Sequence, residues 1–161
     1  MRIRNFLTQN QADFLHMAYI MSPFNYCPLV WMFCSKMAHN LIDKTHHKAL
    51  CARFNNFSAT FEELLLSSNS ITVHTKNLQL LVVEIFKSLR HLNPEFMWDS
   101  FILKPEVYHL RQGQSLVIPH ARSTRAINTL DFRAALAWNH LPSDLKHEKS
   151  LSKLRCNLNP I

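Results

Sequence analysis

The sequence predicts a mostly α chain: a compact helical bundle interrupted by a loop-rich segment, at about 102–128, that carries short extended pieces. Three observations lead there. Glycine occurs once, at Gly113, although average usage of roughly 7% would give about eleven. Tight hairpins and glycine-rich phosphate loops depend on positive φ, so both are nearly excluded. Apolar residues recur at helical spacing over 72–92, and Thr60-Phe61-Glu62-Glu63 has the form of a capping box. At 161 residues the chain reads as a single helical domain, 1–161. Its parts are a main helical region at 8–101, a loop-rich basic arm at 102–128 and C-terminal helices at 129–158.

From the N-terminus, Phe14, Leu15, Ala18, Tyr19 and Met21 carry a helical apolar pattern, and Pro23 is expected to end that helix. The densest apolar block follows, Phe24 to Phe33. Pro28 suits the first turn of a second helix, with Tyr26 and Trp31 expected as core anchors. A third helix spans Lys36 to about Arg53. At 100° per residue Lys36, Lys44, His47 and Lys48 fall within a third of its circumference, and Leu41, Thr45, Ala49 and Ala52 fall away from that stripe. The capping box opens a short helix through Leu64-Leu65-Leu66, stopped by Ser67-Ser68-Asn69-Ser70. The long helix Thr72–Leu92 carries Leu78, Leu81, Val82, Ile85, Leu89 and Leu92 on one side and Lys76, Lys87 and Arg90 on the other, where Leu80 and Val83 also fall. Asn93-Pro94-Glu95 is expected to cap and start a further short helix.

Around Ile102 the texture changes. Pro105, Gly113 and Pro119, with Tyr108, Leu110, Leu116, Val117 and Ile118 between them, predict loop with extended pieces, and Arg111, Arg122 and Arg125 make it basic. A helix over Phe132–Asn139 is expected to be anchored by Trp138 and stopped by Pro142. A turn at 143–145 then leads to a last basic amphipathic helix with Leu151, Leu154 and Leu158.

Lys and Arg total 18 against 11 acidic residues, a net charge of +7. Such an excess favours polyanions, because each neutralised phosphate releases counterions. Chemistry is harder to place. Asp13, Asp43, Asp99, Asp131 and Asp144 are isolated, with no Asp-x-Asp pair for two-metal phosphoryl transfer, and there is neither a Walker loop nor a nucleophile elbow. Cys27, Cys34, Cys51 and Cys156 follow no metal or disulfide spacing and read as reduced thiols, with Cys27 and Cys34 buried in the apolar block. The ten histidines read as helix-surface residues. No catalytic residue, metal or cofactor is assigned. Phe14–Ser35 lacks Asp, Glu, Lys and Arg, but His16, Pro23, Asn25 and Pro28 make it a poor membrane span. The start, Met1-Arg2-Ile3-Arg4, does not read as a signal peptide.

Phe24–Phe33, His47-Lys48-Ala49-Leu50, Phe61-Glu62-Glu63-Leu64-Leu65, Asn77-Leu78-Gln79-Leu80-Leu81 and Glu84-Ile85-Phe86-Lys87 form an ordered set of short segments. It continues in Leu92-Asn93-Pro94-Glu95-Phe96-Met97, Tyr108-His109-Leu110-Arg111 and Trp138-Asn139-His140-Leu141-Pro142. The set resembles the region downstream of the polymerase core in LINE-type (jockey-like) non-LTR retrotransposon reverse transcriptases. Together the segments cover almost all of residues 8–158. The resemblance implies thumb and post-thumb helices that help to hold template RNA and primer DNA by their phosphates. It implies no activity of this chain on its own, because the Ala-Asp-Asp motif of the palm is missing. Cys51 stands where the family has a basic residue, Arg125-Ala126-Ile127-Asn128 where a glycine is common, and Ser152-Lys153-Leu154 where Phe-Lys is usual. With a start Met just before the segment, the resemblance implies a truncated copy.

The sequence therefore assigns nine candidate contacts to nucleic-acid backbone: Lys36, Lys44, Lys48, Lys76, Lys87, Arg90, Arg111, Arg122 and Arg125. The implied partners are RNA or DNA and a missing palm domain, with no small-molecule substrate and no membrane expected. The setting is intracellular, nuclear or cytoplasmic. An inert remnant that needs its palm, and a small membrane-associated protein, are the alternatives.

Overall fold

The structure, a computed structural model, describes residues 6–105 and 114–158. The expectations at Tyr108, Leu110, Arg111 and Gly113, and at the first four residues, lie outside the described residues. The protein is mostly α: ten α-helices, one π segment and one 3-10 helix stand among the described residues, with a single isolated antiparallel bridge, Leu103 to Leu116, and no strand. The sequence reads as one domain, whereas the contacts group into two compact units, Met1–Asn77 and Leu78–Ile161.

In the first unit, α1 (Gln9–Leu15) opens with a capping box in which Thr8 and Gln11 cap one another. The helix does not end at Pro23. It widens into a π segment, His16–Met21, and resumes as α2 (Ser22–Asn25) with Pro23 in its first turn. Proline is tolerated there because the first turn has no intrahelical use for its N–H. The π turn also shifts the buried stripe. Ala12, His16 and Met21 are buried, a step of four and then of five residues, while Phe14, Ala18 and Tyr19 are exposed. The expected face was the wrong one from the start, since Ala12 and His16 are already buried at α spacing, and the π turn then brings Met21 rather than Ile20 onto the buried side.

Next comes α3 (Pro28–Trp31). Met32 is the buried anchor, Trp31 is half-buried with its Nε1 donating to the Tyr26 carbonyl at 3.2 Å, and Tyr26 is 78% exposed. Cys27 is likewise exposed and Cys34 half-buried, so the deep thiol is Cys51. Next, α4 (Lys36–Phe54) starts at Ser35, whose hydroxyl accepts from the Ala38 N–H. It buries His46, Leu50 and Cys51 and leaves Leu41 exposed, so its inner face is not the one lying away from the basic stripe. Leu50 and Cys51 pack with Leu64 of α5 (Phe61–Ser67), against Phe54, Ala59, Phe61 and Leu65. The Thr60–Glu63 capping box at the start of α5 forms as the sequence predicts.

The two units meet in sequence within α6 (Val73–Leu89). Leu81, Val82, Val83, Ile85, Phe86 and Ser88 are all buried, an arc of about 220° at 100° per residue. Val83 belongs to the core and Leu80 is half-buried, while Leu92 is 62% exposed beyond the end of the helix. A 3-10 helix, Glu95–Ser100, follows. Around the Leu103–Leu116 bridge, Lys104 N–H donates to Ser115 O and Val117 N–H to Ile102 O, each at 2.8 Å. These are the extended pieces expected in the loop-rich segment. That segment also holds one helical turn the sequence did not suggest, α7 (Thr124–Ile127), capped by Ser123. Then come α8 (Leu130–His140), a further turn, α9 (Ser143–Lys146), and α10 (Leu151–Leu158), which buries Leu154.

Near-absence of glycine is met without avoiding positive φ. Asn55, Asn69 and His91 are left-handed just past the ends of α4, α5 and α6. At each end the next N–H reaches back in the Schellman pattern: Asn56 to Cys51 O, Ser70 to Leu65 O, Leu92 to Lys87 O. Asparagine tolerates this conformation through its short polar side chain.

Among the described residues no helix is long and apolar enough to cross a membrane.

Candidate functional site

The nine sequence-derived cations fall into groups. Lys36, Lys44 and Lys48 are exposed on one side of α4, rising about 18 Å at 1.5 Å per residue. Lys36 lies in the first turn, which holds no acidic residue, so its charge adds to the positive end of the helix dipole. His47 of the same stripe is tied down, its Nε2 donating to the Ala59 carbonyl at 3.2 Å. Lys76 is half-buried and donates to Asn25 Oδ1 at 2.7 Å. In the second unit, Lys87 pairs with Glu84 at 2.6 Å. Arg90 donates to the Glu148 carbonyl at 2.9 Å and lies over the Phe86 ring. Arg122 and Arg125 are exposed, the former reaching His120 Nε2 at 3.4 Å. Arg111 lies outside the described residues.

A second cluster was not expected. His16 opens the π segment, and such segments concentrate at functional sites. It is 6% exposed, its ring stacks on that of His46, itself 1% exposed, with centroids 6.2 Å apart, and the edge of Phe61 closes on His46. Neither nitrogen of His16, nor Nδ1 of His46, has a hydrogen-bond partner. A buried polar group left so costs about 1–3 kcal/mol.

Burial holds both rings neutral. It pushes His46 down to about 4, helped by His16 and Lys76 and opposed by Asp43. It lowers His16 too, helped by Arg53 and opposed by Asp13. The Arg53 hydrogen bond, at 2.7 Å, holds the Asp13 carboxyl below its usual range and ties α1 to α4. The ten histidines are thus not all surface residues: these two are core. Among the described residues no group of three or more His, Cys, Asp or Glu is placed to hold a metal ion.

In the second unit the Trp138-Asn139 pair has a definite mechanical role. Trp138 is 1% exposed and its Nε1 donates to Gln114 O at 2.8 Å. The Asn139 amide mimics a peptide: Oδ1 accepts from Leu116 N–H at 2.8 Å and Nδ2 donates to Leu116 O at 3.0 Å. Two adjacent side chains thereby clamp residues 114–116 onto α8. Lys146, 4% exposed, donates from Nζ to the Asn139 carbonyl at 2.9 Å, serving an orphan carbonyl in the last turn of α8. Burial lowers its ammonium below the ordinary lysine value.

No family model, curated protein or solved structure matches the chain.

His16, His46 and Lys146 were missed by sequence reasoning. The first two had a signal: Ala12–His16 and Ile42–His46–Leu50 continue helical apolar spacing through a histidine. Lys146 had none, because a lysine six residues past a helix reads as loop charge.

Proposed function

We propose that this chain is a non-catalytic, nucleic-acid-binding segment of reverse transcriptase lineage, holding a template–primer duplex by its phosphates in an intracellular setting. The resemblance suggests the lineage. What supports the contact is the exposure of Lys36, Lys44 and Lys48 along one side of a single rigid helix. Duplex carries a charge every 1.7 Å or so, so about ten phosphates lie within the roughly 18 Å those lysines span. Three contacts give a salt slope of about −2.7, and thus an affinity loss of about 40-fold between 50 and 200 mM salt. Fluorescence anisotropy with a labelled RNA–DNA hybrid tests this, and replacing the three lysines by glutamine should flatten the slope. Absence of binding at 20 mM salt removes the reading.

A second reading, a remnant that needs its missing palm, has one observation in its favour. Phe14, Met17, Tyr19, Tyr26, Val30, Met37 and Leu41 are all more than half exposed in the first unit, apolar surface that a partner domain would cover. Leu80 and Val83 give it no support, being half-buried and buried. This reading expects a purified chain that binds a hydrophobic dye and self-associates. A monodisperse monomer that excludes the dye contradicts it.

A further inference from the structure

The second unit holds a cavity of about 180 Å³ that neither reading uses. Its apolar walls are Phe86, Leu89, Leu103 and Trp138, and its polar lining is Arg90, Lys146 and Gln114. Two of those three groups are cations, and among the described residues no carboxylate lines the space. Two of the acidic groups nearby in sequence are engaged elsewhere: Glu84 holds Lys87, and Glu148 Oε1 accepts from the N–H groups of Lys149 and Ser150.

Each cation has donors to spare. Lys146 Nζ spends one of three on the Asn139 carbonyl. Arg90 spends one of five on the Glu148 carbonyl, while Phe86, over which it lies, forms part of the cavity wall. A lysine so deeply buried ordinarily has an anionic partner. Here it has a carbonyl and an open space.

We propose that this cavity binds a small organic anion, a carboxylate or phosphate monoester on a compact apolar group, with Lys146 and Arg90 taking the charge and Phe86, Leu89 and Trp138 the apolar part. The size sets the class, since pockets for drug-sized ligands run to about 300–1,000 Å³. The chemistry sets the charge: an ammonium held in an apolar wall gains most from an anion that restores what desolvation removed. The inference is independent of the nucleic-acid reading, because Lys36, Lys44 and Lys48 take no part in it.

The 161-residue chain is titrated with benzoate, phenyl phosphate and neutral benzyl alcohol, following the Trp138 indole N–H by NMR. Benzoate or phenyl phosphate should saturate the shift at about 1 mM, with benzyl alcohol tenfold weaker or more. Which of the two anions binds tighter identifies the head group. Lys146→Met and Arg90→Gln should each weaken anion binding about tenfold or more and leave benzyl alcohol unaffected. Arg90 is exposed, so its variant keeps the test decisive if Lys146→Met fails to fold. Equal binding of benzoate and benzyl alcohol, no saturable shift with either anion, or an Arg90→Gln variant that binds as the parent does, overturns the proposal.

Discussion

The first unit buries two imidazoles and the second an ammonium, and the two solve burial differently. His16 and His46 leave three ring nitrogens without partners, whereas Lys146 is delivered to a carbonyl in the last turn of α8. The reason is the starting pKa. Near pH 7 an imidazole of pKa about 6.5 sheds its proton at almost no cost. Discharging a lysine of pKa about 10.4 at the same pH costs roughly 4–5 kcal/mol, at 1.36 per unit. A histidine can therefore enter an apolar core and go neutral there. A lysine enters only where an acceptor is waiting, and a helix C-terminus is one of the few acceptors a backbone supplies.

Acid breaks the comparison most sharply. His46 sits at about 4 in the folded chain against about 6.5 unfolded, so its neutral form is the folded form. The stability that depends on this neutrality is fully present above pH 6.5 and is lost as pH falls from there towards 4. The shift corresponds to roughly 3 kcal/mol, with Asp13 adding a loss in the same direction at lower pH. Trp31 reports on the first unit, and Trp98 and Trp138 on the second. Denaturant melts followed by Trp31 fluorescence, in a variant with the other two tryptophans replaced by phenylalanine, should show the drop. His46→Phe should shrink the pH dependence, with His16 and Asp13 supplying the remainder, and a parent melt flat from pH 7 to 4.5 contradicts the account.

Lys146→Met gives the smaller, complementary effect. It leaves the Asn139 carbonyl unmet, at about 1–2 kcal/mol, and the loss read from Trp138 should be the same at pH 5 and pH 8. The smallest effect concerns the backbone alone. Asn55→Gly relieves the left-handed residue at the end of α4 and should stabilise the first unit by about 0.5 kcal/mol at every pH. A loss instead would mean that the Asn55 side chain contributes more than its backbone costs.

Much of the fold was legible, and for local reasons. The Thr60–Glu63 capping box and the Leu154 stripe depend on residues close in sequence, and both formed as expected. Trp138 is buried as expected, and a short 3-10 helix does start at Glu95, but Asn93 does not cap it, its amide going to Glu84 and Ser88. The failures share one cause, a change of period or of environment that no window can see. The first helix buries Ala12 and His16 instead of Phe14 and Ala18, and the π turn carries that face on to Met21. Burial around α6 took in Val83, because hiding a valine or phenylalanine is worth about 1.5–3 kcal/mol and outweighs the polar neighbours on its own turn. The exposure of the α4 lysines was legible from charge and spacing. The pairing of Lys87 with Glu84 was not, because it depends on how two neighbouring side chains settle on the folded helix.

By itself the sequence determined helical content, most helix starts, the basic excess and the want of a nucleophile motif or paired carboxylates, since propensity, capping and charge act within a turn or two. Tertiary structure alone decided which histidines lost their solvent, which thiol went inside, and that Arg90 and Lys146, 56 positions apart, line one cavity. Burial and the electrostatics that follow from it are properties of the assembled core, and a residue carries no mark of them before the chain folds.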